Sequence, residues 1–585
     1  MSARLEPEDF PWEKVKPTSD LRFHDCFDGF KCARLEVPLD WLDVDNNRTI
    51  ALAITKLPAK VAEDDPSFGG TILSNPGGPG GSGVGFIRKY GRHLQSVVDR
   101  EKHWEILSWD PRGVGATTPR VDCFGTVLAR DRYFVEKHGI GAITAAEDVL
   151  QRQFAVTDAW SSLCQNADQE IDILPYITTP SVARDMVEMV DRIHDLRTEE
   201  LARKAASEGA KQVPLMAEIS GSGPPRLNYM GFSYGTVLGN YFASMFPGRV
   251  GRVLVDGVDD SYDYSSAKWL CNLGDTEKVV DFFYETCFES GERCPLWSQE
   301  DEGPTDIKTR IDKFISDTDA KPVPYIDGSD VFAITGNDIR LSFRNALYSP
   351  IDGFEPHAQH LAEALKGNFT GVVSSIAVPR LQDACSVDDS IFEQGMDITA
   401  AIACSDAEDQ TDHLYDSSFF ADYVTELHNQ SSTFGSMWAQ IRLACSAWRS
   451  RGKWRFSGPF KTPPADPSLK EGVPAAPLLF ISNRLDTVTP LANAYLMSEG
   501  HPGSAVVIQE AAGHCALAKD WSPCLNDIVS DYFEFGKVPE TGTVCETDAG
   551  CRPWSKEPCG IDISALGSNN NRLDHRRNPF RPLEF

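Results

Sequence analysis

Short apolar segments recur through the first half of the chain and again towards its C-terminal end. Glycine, proline or charged residues bound these segments, and each is shorter than a buried helix would be, so they predict strands. The predicted strands cover residues 49–54, 71–75, 104–109, 227–230, 252–256, 476–482 and 505–509. Strands as uniformly apolar as these are buried on both faces, which is typical of a mostly parallel, twisted sheet with helices on both sides. The expected fold class is therefore α/β.

Helical spacing replaces the strand pattern from residue 179 onwards. Thr179 and Pro180 suit a helix cap and a first-turn proline. Val182, Met186 and Ile193 then recur on one face of a predicted helix. Residues 199–225 are polar and carry glycine and serine, so they predict an insertion loop.

Residues 261–470 interrupt the series of core strands. They predict a large, mainly helical cap inserted before the strand at 476–482, with helices at 277–289 and 353–366. We therefore expect a core in two parts, at 1–260 and 471–550, with the cap between them. The basic, proline-containing residues 551–585 form a tail in this division.

A serine stands at the junction between one predicted strand and a predicted helix. The strand at 227–230 leads directly into Gly231-Phe232-Ser233-Tyr234-Gly235, and an apolar helical segment follows. A strand, a tight turn with a serine between glycines, and a helix are the context of a nucleophile elbow. The pentapeptide alone is a weak signal, because a serine in a glycine-rich turn is common, and its interpretation depends on the rest of the chain.

A glycine-rich loop follows the predicted strand at 71–75, with the sequence Asn75-Pro76-Gly77-Gly78-Pro79-Gly80-Gly81. Acyl transfer to a serine generates an oxyanion, and backbone N–H groups stabilise it. One donor is expected to be the N–H of Tyr234, directly after the serine, and the other the N–H of Gly77 or Gly78. A flexible linker or a phosphate loop is the alternative, but no Gly-Lys-Ser/Thr sequence follows the glycines.

An acid and a histidine follow two later strands. Asp486 comes after the strand at 476–482, and His514 comes after the strand at 505–509. The chain order Ser233, Asp486, His514 is that of the triad of the α/β-hydrolase fold. Each residue follows the C-terminal end of a predicted strand, where such sheets place their active sites. His514 would take the serine proton, and Asp486 would orient the imidazole and stabilise its charged form.

The chain resembles the prolyl-aminopeptidase-like serine peptidases, and within them the tripeptidyl-aminopeptidase-like branch, over roughly residues 20–550. The glycine-rich loop is similar to the oxyanion loop of that family, and the sequence around Ser233 is similar to its nucleophile elbow. The segment from Asp110 to Gly115 resembles the D-x-R-G-x-G sequence of the family. We interpret Asp110 and Arg112 as a structural turn, with Arg112 paired to a buried carboxylate.

The resemblance implies a peptide substrate that is cleaved near its N-terminus. Such an exopeptidase needs an anchor for the substrate ammonium, and the resemblance implies carboxylates of the cap in that role. Trp438, Trp448, Trp454 and Phe456 are expected in the interior of the cap or in the substrate cleft.

Three other functions are compatible with parts of this pattern. An esterase or amidase that acts on a small metabolite would use the same three side chains. Epoxide hydrolases and dehalogenases place aspartate at the elbow, so Ser233 argues against them. A binding protein on this fold would typically lack one of the three triad members, and all three are present.

The charged residues of the chain limit the classes of partner that it is expected to bind. The formal net charge of −30, from 56 basic and 86 acidic residues, opposes binding to nucleic acid or to an anionic membrane. We interpret it mainly as a solvated acidic surface, with a cationic substrate as the other interpretation. The chain has no run of about 18 apolar residues, so no membrane span is expected. The oligomeric state stays open.

The 15 cysteines bear on compartment and on metals. The absence of a C-x-x-C pair argues against a zinc site, and neither a metal nor a cofactor is expected. The first residues lack the apolar segment of a secretion signal, so the cytoplasm is the default expectation. Cysteine pairs and glycosylation acceptors at Asn47, Asn368 and Asn429 keep secretion as the alternative. The candidate disulfides are Cys26–Cys32, Cys123–Cys164, Cys287–Cys294, Cys404–Cys445 and Cys524–Cys545.

Overall fold

The computed structural model describes residues 10–43, 45–167, 172–207, 224–328, 330–376, 395–463, 476–517, 521–555 and 559. Within these ranges, ten strands form one sheet in the order β1-β2-β3-β5-β4-β6-β7-β10-β11-β12, and β8 and β9 form a separate hairpin. The strands are β1 His24–Cys26, β2 Phe30–Pro38, β3 Thr49–Leu57, β4 Phe68–Asn75, β5 His103–Asp110, β6 Leu227–Phe232, β7 Val250–Asp256, β8 Val323–Asp327, β9 Asp330–Ile334, β10 Leu479–Leu485, β11 Ala505–Ala512 and β12 Thr543–Glu546.

Most of the large sheet is parallel. Every neighbouring pair from β5 through β4, β6, β7, β10 and β11 to β12 is parallel. The pairs β1–β2, β2–β3 and β3–β5 are antiparallel. Because parallel strands end at the same edge of a sheet, the residues that follow β4, β6, β7, β10 and β11 are brought together.

Helices cover both faces of this sheet. The longer helices are α1 Gly83–Val98, α2 Val127–Ile140, α3 Glu147–Gln165, α4 Thr179–Ser207, α5 Tyr234–Met245, α7 Thr276–Ser290, α8 Pro304–Ala320, α11 Pro350–Ala364, α13 Gly395–Asp406, α14 Ser417–Gln430, α15 Gly435–Ala447 and α17 Pro523–Phe535. Shorter ones are α6 Ser261–Ser265, α9 Gly336–Ser342, α10 Arg344–Tyr348, α12 Thr370–Ser375 and α16 Leu491–Ser498.

Two hydrophobic cores lie on the two sides of the sheet. One contains buried residues of α1 and α17, such as Ile87 and Val529, packed on Met230 and Ile481 of the strands. The other contains residues of α4 and α5 and extends into the helices between β7 and β10. Alternate side chains of each central strand therefore enter opposite cores, which explains why the strands are apolar throughout.

The predicted parallel α/β sheet is confirmed, and all seven predicted strands are present with ends shifted by a few residues. The prediction of a loop over 199–225 is wrong at its start, because α4 continues to Ser207 and buries Leu201. Charged residues with high helix propensity, such as Glu199 and Lys204, fill the solvent-facing positions of this last part of the helix. Residues 208–223 of that prediction lie outside the described ranges.

The segment between β7 and β10 is mainly helical, as expected of a cap, and it includes the β8–β9 hairpin. The segment between β5 and β6, which includes α2, α3 and α4, packs against this helical segment. Trp160 of α3 lies 5.6 Å from Trp448 between ring centroids, and Ser161 Oγ donates to the carbonyl of Ala447 at 2.7 Å. The division of the chain into core and cap at residues 260 and 470 stays a prediction.

All five candidate disulfides are formed, and Cys551 and Cys559 make a sixth that the sequence did not predict. Disulfides persist in oxidising compartments, and the compartment of the protein stays a prediction. Across the residues that the structure describes, none of the helices is both long and apolar enough to cross a membrane.

The interpretation of Arg112 as a structural residue is confirmed. Its guanidinium donates to both carboxylate oxygens of Asp185, at 2.5 and 2.7 Å, and neither side chain is exposed. It also donates to the carbonyls of Pro38 and Leu39, at 2.8 and 2.6 Å. Asp110 is structural as well, because its carboxylate accepts from Ser82 and from the first turn of α1.

Asp185→Asn is expected to lower the free energy of unfolding by about 3 kcal/mol, because it leaves the buried Arg112 guanidinium without the carboxylate that is paired with it. The measurement is urea unfolding. The matched control is the double variant Arg112→Met with Asp185→Leu, which removes both charges. Its free energy of unfolding is expected to fall by less than that of Asp185→Asn. A wild-type unfolding midpoint for Asp185→Asn would contradict the prediction.

Candidate active site

Ser233 lies in a strained turn between β6 and α5. Its backbone has φ 55° and ψ −128°, a left-handed conformation that L-residues rarely adopt. The turn is held because the N–H of Ser233 donates to the carbonyl of Asp256 at 3.1 Å. A Cβ on Gly231 would lie 2.3 Å from the carbonyl oxygen of Gly235, so the strand and the helix need a glycine there to pass so closely. The structure thus forms the predicted elbow.

The glycine-rich loop after β4 lies directly against this turn. Gly77 has φ +93°, and a Cβ at this position would be 2.8 Å from Ser233 Cβ and 3.0 Å from the amide nitrogen of Tyr234. The N–H of Gly77 donates to the side-chain oxygen of Asn75 at 2.9 Å. The predicted residues Gly77, Gly78, Ser233 and Tyr234 therefore occupy one small region, and the N–H of Gly77 already has an acceptor.

His514 and Asp486 are hydrogen-bonded to each other. Nδ1 of His514 lies 2.9 Å from Oδ1 and 3.1 Å from Oδ2 of Asp486, and 3.1 Å from Oγ1 of Thr489. The backbone N–H of His514 donates to the carbonyl of Tyr348 at 3.0 Å, and the two rings meet edge to face. Contact with a carboxylate at Nδ1 leaves Nε2 as the nitrogen that can act on a proton.

The carboxylate of Asp486 is fully buried and held by backbone donors. Oδ1 accepts from the N–H groups of Val488 and Thr489, and Oδ2 accepts from that of Cys515 at 2.9 Å. Burial alone would raise the pKa of Asp486, but the adjacent His514 and these hydrogen bonds hold it below its ordinary value. Asp486 is therefore ionised at neutral pH.

Asp256, at the end of β7, links the serine turn to the histidine loop. Its carbonyl accepts from Ser233, and its carboxylate accepts from the N–H groups of Ala516 and Leu517, each at 2.8 Å. Burial raises the pKa of Asp256 to about 7. The backbone segments that carry Ser233 and His514 are thus joined through one residue.

Ser233 and His514 open into the same cavity, which spans about 500 Å³ including its open mouth. Residues of the glycine-rich loop, of the segment after β7, of the loop after β10 and of the cap form its walls. They are Pro76, Gly77, Gly78, Gly81, Ser233, Asp259, Trp269, Asn272, Tyr348, Trp438, Val488, Thr489 and His514.

The part of the cavity wall formed by the segment after β7 and by the cap carries polar atoms without a partner among the described residues. These are Oδ1 of Asn272 and the indole Nε1 atoms of Trp269 and Trp438, and all three side chains are at least nine-tenths buried. The amide of Asn272 donates to Oδ1 of Asp259 at 3.0 Å. Burial, followed by the negative charges of Asp263 and Asp260, raises the pKa of Asp259 to about 8.

Asp259, Asn272, Trp269, Tyr348 and Thr489 were not identified from the sequence. Asp259 follows β7 by three residues, so its position after a core strand was a usable signal. Asn272, Trp269 and Tyr348 contribute to the cavity through folding of the cap and carried no local signal, whereas Thr489 lies three residues after Asp486 in the loop after β10. Of the four aromatic residues expected in the cap or cleft, Trp438 lines the cavity, whereas Trp448 is buried against Trp160.

Two groups of three potential metal ligands occur within the described residues. In one, Cys123 and Cys164 are joined as a disulfide beside Asp397. In the other, ligand atoms of Asp486, His514 and Cys515 lie within 4.8 Å of one another, but Asp486 and His514 are bonded to each other. The expectation that no metal or cofactor takes part stays a prediction.

Comparison with known proteins gives one family match and several full-length relatives. Residues 431–545 match the family model described as TAP-like protein. A tripeptidyl aminopeptidase of Streptomyces lividans is 23% identical over 551 residues, covering 89% of this chain and 85% of that protein.

Two mycobacterial proteins extend the comparison. The serine protease Hip1 of Mycobacterium tuberculosis (strain ATCC 25618 / H37Rv) is 22% identical over 527 residues, covering 88% of this chain and 87% of that protein. Carboxylesterase B of Mycobacterium tuberculosis (strain CDC 1551 / Oshkosh) is 30% identical over 179 residues, which are 30% of each chain. Together with the sheet topology, these similarities identify an enzyme of the serine hydrolase type.

Proposed function

We propose that this TAP-like serine hydrolase of the α/β-hydrolase fold is a peptidase that releases a residue or short peptide from a free N-terminus. One observation carries the proposal: Ser233, His514 and the buried carboxylate of Asp259 line the same cavity. A nucleophile with its base and an anchor for a cationic group are the parts that an aminopeptidase needs.

The first half of the reaction forms an acyl-enzyme. Ser233 Oγ attacks the carbonyl carbon of the scissile bond while Nε2 of His514 takes the hydroxyl proton. The N–H groups of Tyr234 and Gly78 bind the resulting oxyanion. We assign Gly78 rather than Gly77 because the N–H of Gly77 donates to Asn75. Collapse of the intermediate breaks the C–N bond, and His514 returns the proton to the leaving amine.

The second half hydrolyses the acyl-enzyme. Water enters the place of the leaving amine, and His514 takes its proton as the oxygen attacks the ester carbon. The Ser233 oxygen leaves, takes the proton back from His514, and the released product carries a new carboxylate. Asp486 stays ionised in both halves and stabilises the imidazolium that forms twice.

Asp259 is proposed as the anchor for the substrate ammonium. In the free enzyme its raised pKa keeps much of it protonated near neutral pH. An ammonium beside it would favour the ionised form, so binding releases a proton and should tighten as pH rises towards 8. Oδ1 of Asn272 is a second acceptor in the same wall for the remaining N–H groups.

A turnover panel distinguishes this peptidase from an esterase or amidase that acts on a small metabolite. Aminoacyl and tripeptidyl chromogenic amides would be compared in free and N-acetylated form, with short acyl esters beside them. Cleavage of the free amides above the acetylated ones supports the proposal. Turnover of esters alone would contradict it and move the substrate to a small metabolite.

Asp259→Asn is expected to raise KM for a free-amine tripeptidyl amide by about tenfold or more, because the anchoring charge is lost. KM for the N-acetylated amide should stay within about twofold, because that substrate has no charge to anchor. The wild-type fall of KM between pH 6 and 8 for free-amine substrates should also disappear. Michaelis–Menten kinetics on both substrates across this range test the prediction.

Asp263→Asn is the matched control. Asp263 belongs to the same acidic segment and is buried, but its carboxylate accepts from the N–H of Leu270 and does not line the cavity. It should leave the preference for free amines intact, while the pH at which KM falls should move downward, because one of the charges that raise the pKa of Asp259 is lost. An equal rise of KM for free and acetylated substrates in Asp259→Asn would contradict the anchor.

A further inference from the structure

Helix α13 of the cap contacts one of the two backbone segments that carry the proposed oxyanion donors and is linked to the other through Thr179. One segment is the glycine-rich loop with Gly78, and the other is the first turn of α5 with Tyr234. These segments are far apart in sequence and come from different strands of the core. A single helix that is joined to both can set the distance between their N–H groups.

The N-terminal half of α13 contacts the glycine-rich loop. The hydroxyl of Thr399 donates to the carbonyl of Pro79, directly after Gly78, at 2.8 Å, and it also lies 3.1 Å from the carbonyl of Gly395. Ile398 fills the space beside the loop, because a Cβ on Gly80 would lie 2.6 Å from its Cγ2. The side chains of Thr399 and Ile398 are both buried.

The C-terminal end of the same helix is linked to Tyr234 through Thr179. Oδ2 of Asp406 accepts from the hydroxyl of Thr179 at 2.5 Å and from that of Tyr264 at 2.8 Å. Oδ1 accepts from the N–H of Thr179 at 2.8 Å. The hydroxyls of Thr179 and Tyr234 lie 2.5 Å apart, so Tyr234 is tied to α13 through one intermediate residue.

The helix is also joined to the wall of the cavity. The Cys404–Cys445 disulfide connects α13 to α15, the helix that carries Trp438. Movement of the cap at Trp438 would therefore be transmitted to the glycine-rich loop and to Tyr234. Cap helix α6 also contacts Tyr234, since the rings of Tyr264 and Tyr234 lie 5.6 Å apart between centroids, so α13 is distinguished by its hydrogen bond to the glycine-rich loop.

We infer that α13 holds the two oxyanion donors in their working geometry, and that Thr399 is a positioning residue for the reaction through its bond to Pro79. The inference rests on the proposed role of Ser233 and of the donors. It predicts a defect in stabilisation of the transition state, because Thr399 touches neither the substrate nor the reacting atoms.

Thr399→Val, which keeps the shape and removes the hydroxyl, is expected to lower kcat by about tenfold with KM within about twofold. A peptide aldehyde, which forms a tetrahedral adduct with Ser233, should bind about tenfold more weakly, because its oxygen uses the same donors. Thr399→Ser retains the hydroxyl and should restore both values. Steady-state kinetics and aldehyde inhibition constants measure these effects.

Thr318→Val is the matched control. Thr318 is a buried threonine of cap helix α8 whose hydroxyl donates only within its own helix, to the carbonyl of Phe314 at 2.7 Å. It should leave kcat unchanged at a similar melting temperature. An equal loss of kcat in Thr318→Val would show a general effect of cap stability and overturn the inference.

The role of α13 and the proposed function can be disproved separately. Wild-type kcat in Thr399→Val, together with an inactive Ser233→Ala, would overturn the role of α13 and leave the proposed function intact. Turnover by Ser233→Ala would overturn the proposed function itself. If Thr399→Val does not fold, Tyr234→Phe tests the link between α13 and the Tyr234 donor. This variant keeps the amide donor and removes the hydroxyl bond to Thr179. It too should lower kcat without raising KM.

Discussion

Ser233→Ala is expected to reduce turnover of any substrate by about five to six orders of magnitude, without loss of the fold. The loss is that large because the hydroxyl that forms the acyl-enzyme is removed, and His514 and Asp486 contribute little without that hydroxyl to activate. The left-handed backbone of Ser233 is held by the bond to Asp256 and not by the side chain. Alanine should therefore adopt the same turn. Residual kcat on the best substrate of the panel measures the effect.

A covalent probe makes this test independent of the substrate. A fluorophosphonate should phosphonylate Ser233 Oγ with loss of fluoride. Mass spectrometry should show the added phosphonyl group on the wild-type protein and not on Ser233→Ala. Ser530→Ala is the matched control, because Ser530 is a buried serine of α17 that bonds only within its helix. It should be labelled and turn over like the wild type. Labelling of Ser233→Ala at an unchanged rate would disprove the assignment of the nucleophile.

The central sheet could be predicted because its strands are buried on both faces and therefore apolar without interruption. The same reasoning did not identify β1, β2 and β12, which lie at or near the edges, where polar residues such as Lys31 and Glu546 alternate with apolar ones. The end of α4 was also missed. Its polar solvent-facing side looks like a loop in sequence, whereas helix propensity continues the helix to Ser207.

The positions of the proposed triad residues and donor segments at one edge of the sheet could be predicted because parallel strands bring their C-terminal ends together. That rule uses only the order of strands and the residue after each of them, so it identified Ser233, Asp486 and His514. The rest of the cavity depends on how the cap folds over the sheet. Trp269, Asn272 and Tyr348 reach it from cap segments that carry no periodic or motif signal, and the role inferred for Thr399 follows only from a contact 320 residues distant in sequence.

The secondary structure of the cap could be predicted more readily than its interior. Helices at 277–289 and 353–366 were expected from apolar periodicity and are present as α7 and α11. The apolar periodicity of a helix indicates which of its faces is buried, but it does not indicate which other element packs against that face. The expectation that carboxylates of the cap anchor the substrate is replaced in our proposal by Asp259, three residues after core strand β7.

Asp486→Asn is expected to lower kcat by about four orders of magnitude, the second largest effect among these variants. Both oxygens of Asp486 accept backbone N–H groups, two at Oδ1 and one at Oδ2. The NH2 of asparagine will take the Oδ2 position, where it meets only the N–H of Cys515. It then donates to Nδ1 of His514, which forces the other tautomer and leaves Nε2 protonated towards the serine.

Asp338→Asn is the matched control for this change. Asp338 is a buried aspartate of α9 that accepts from the N–H and hydroxyl of Thr335, and it does not line the cavity. It should keep wild-type kcat, which separates the loss of a buried charge from the loss of the correct tautomer.

Because the tautomer matters only once Ser233 must be deprotonated, KM of Asp486→Asn should stay within about threefold of wild type. A fall of less than about tenfold in kcat would mean that another group orients His514, and Thr489, 3.1 Å from Nδ1, would be that group.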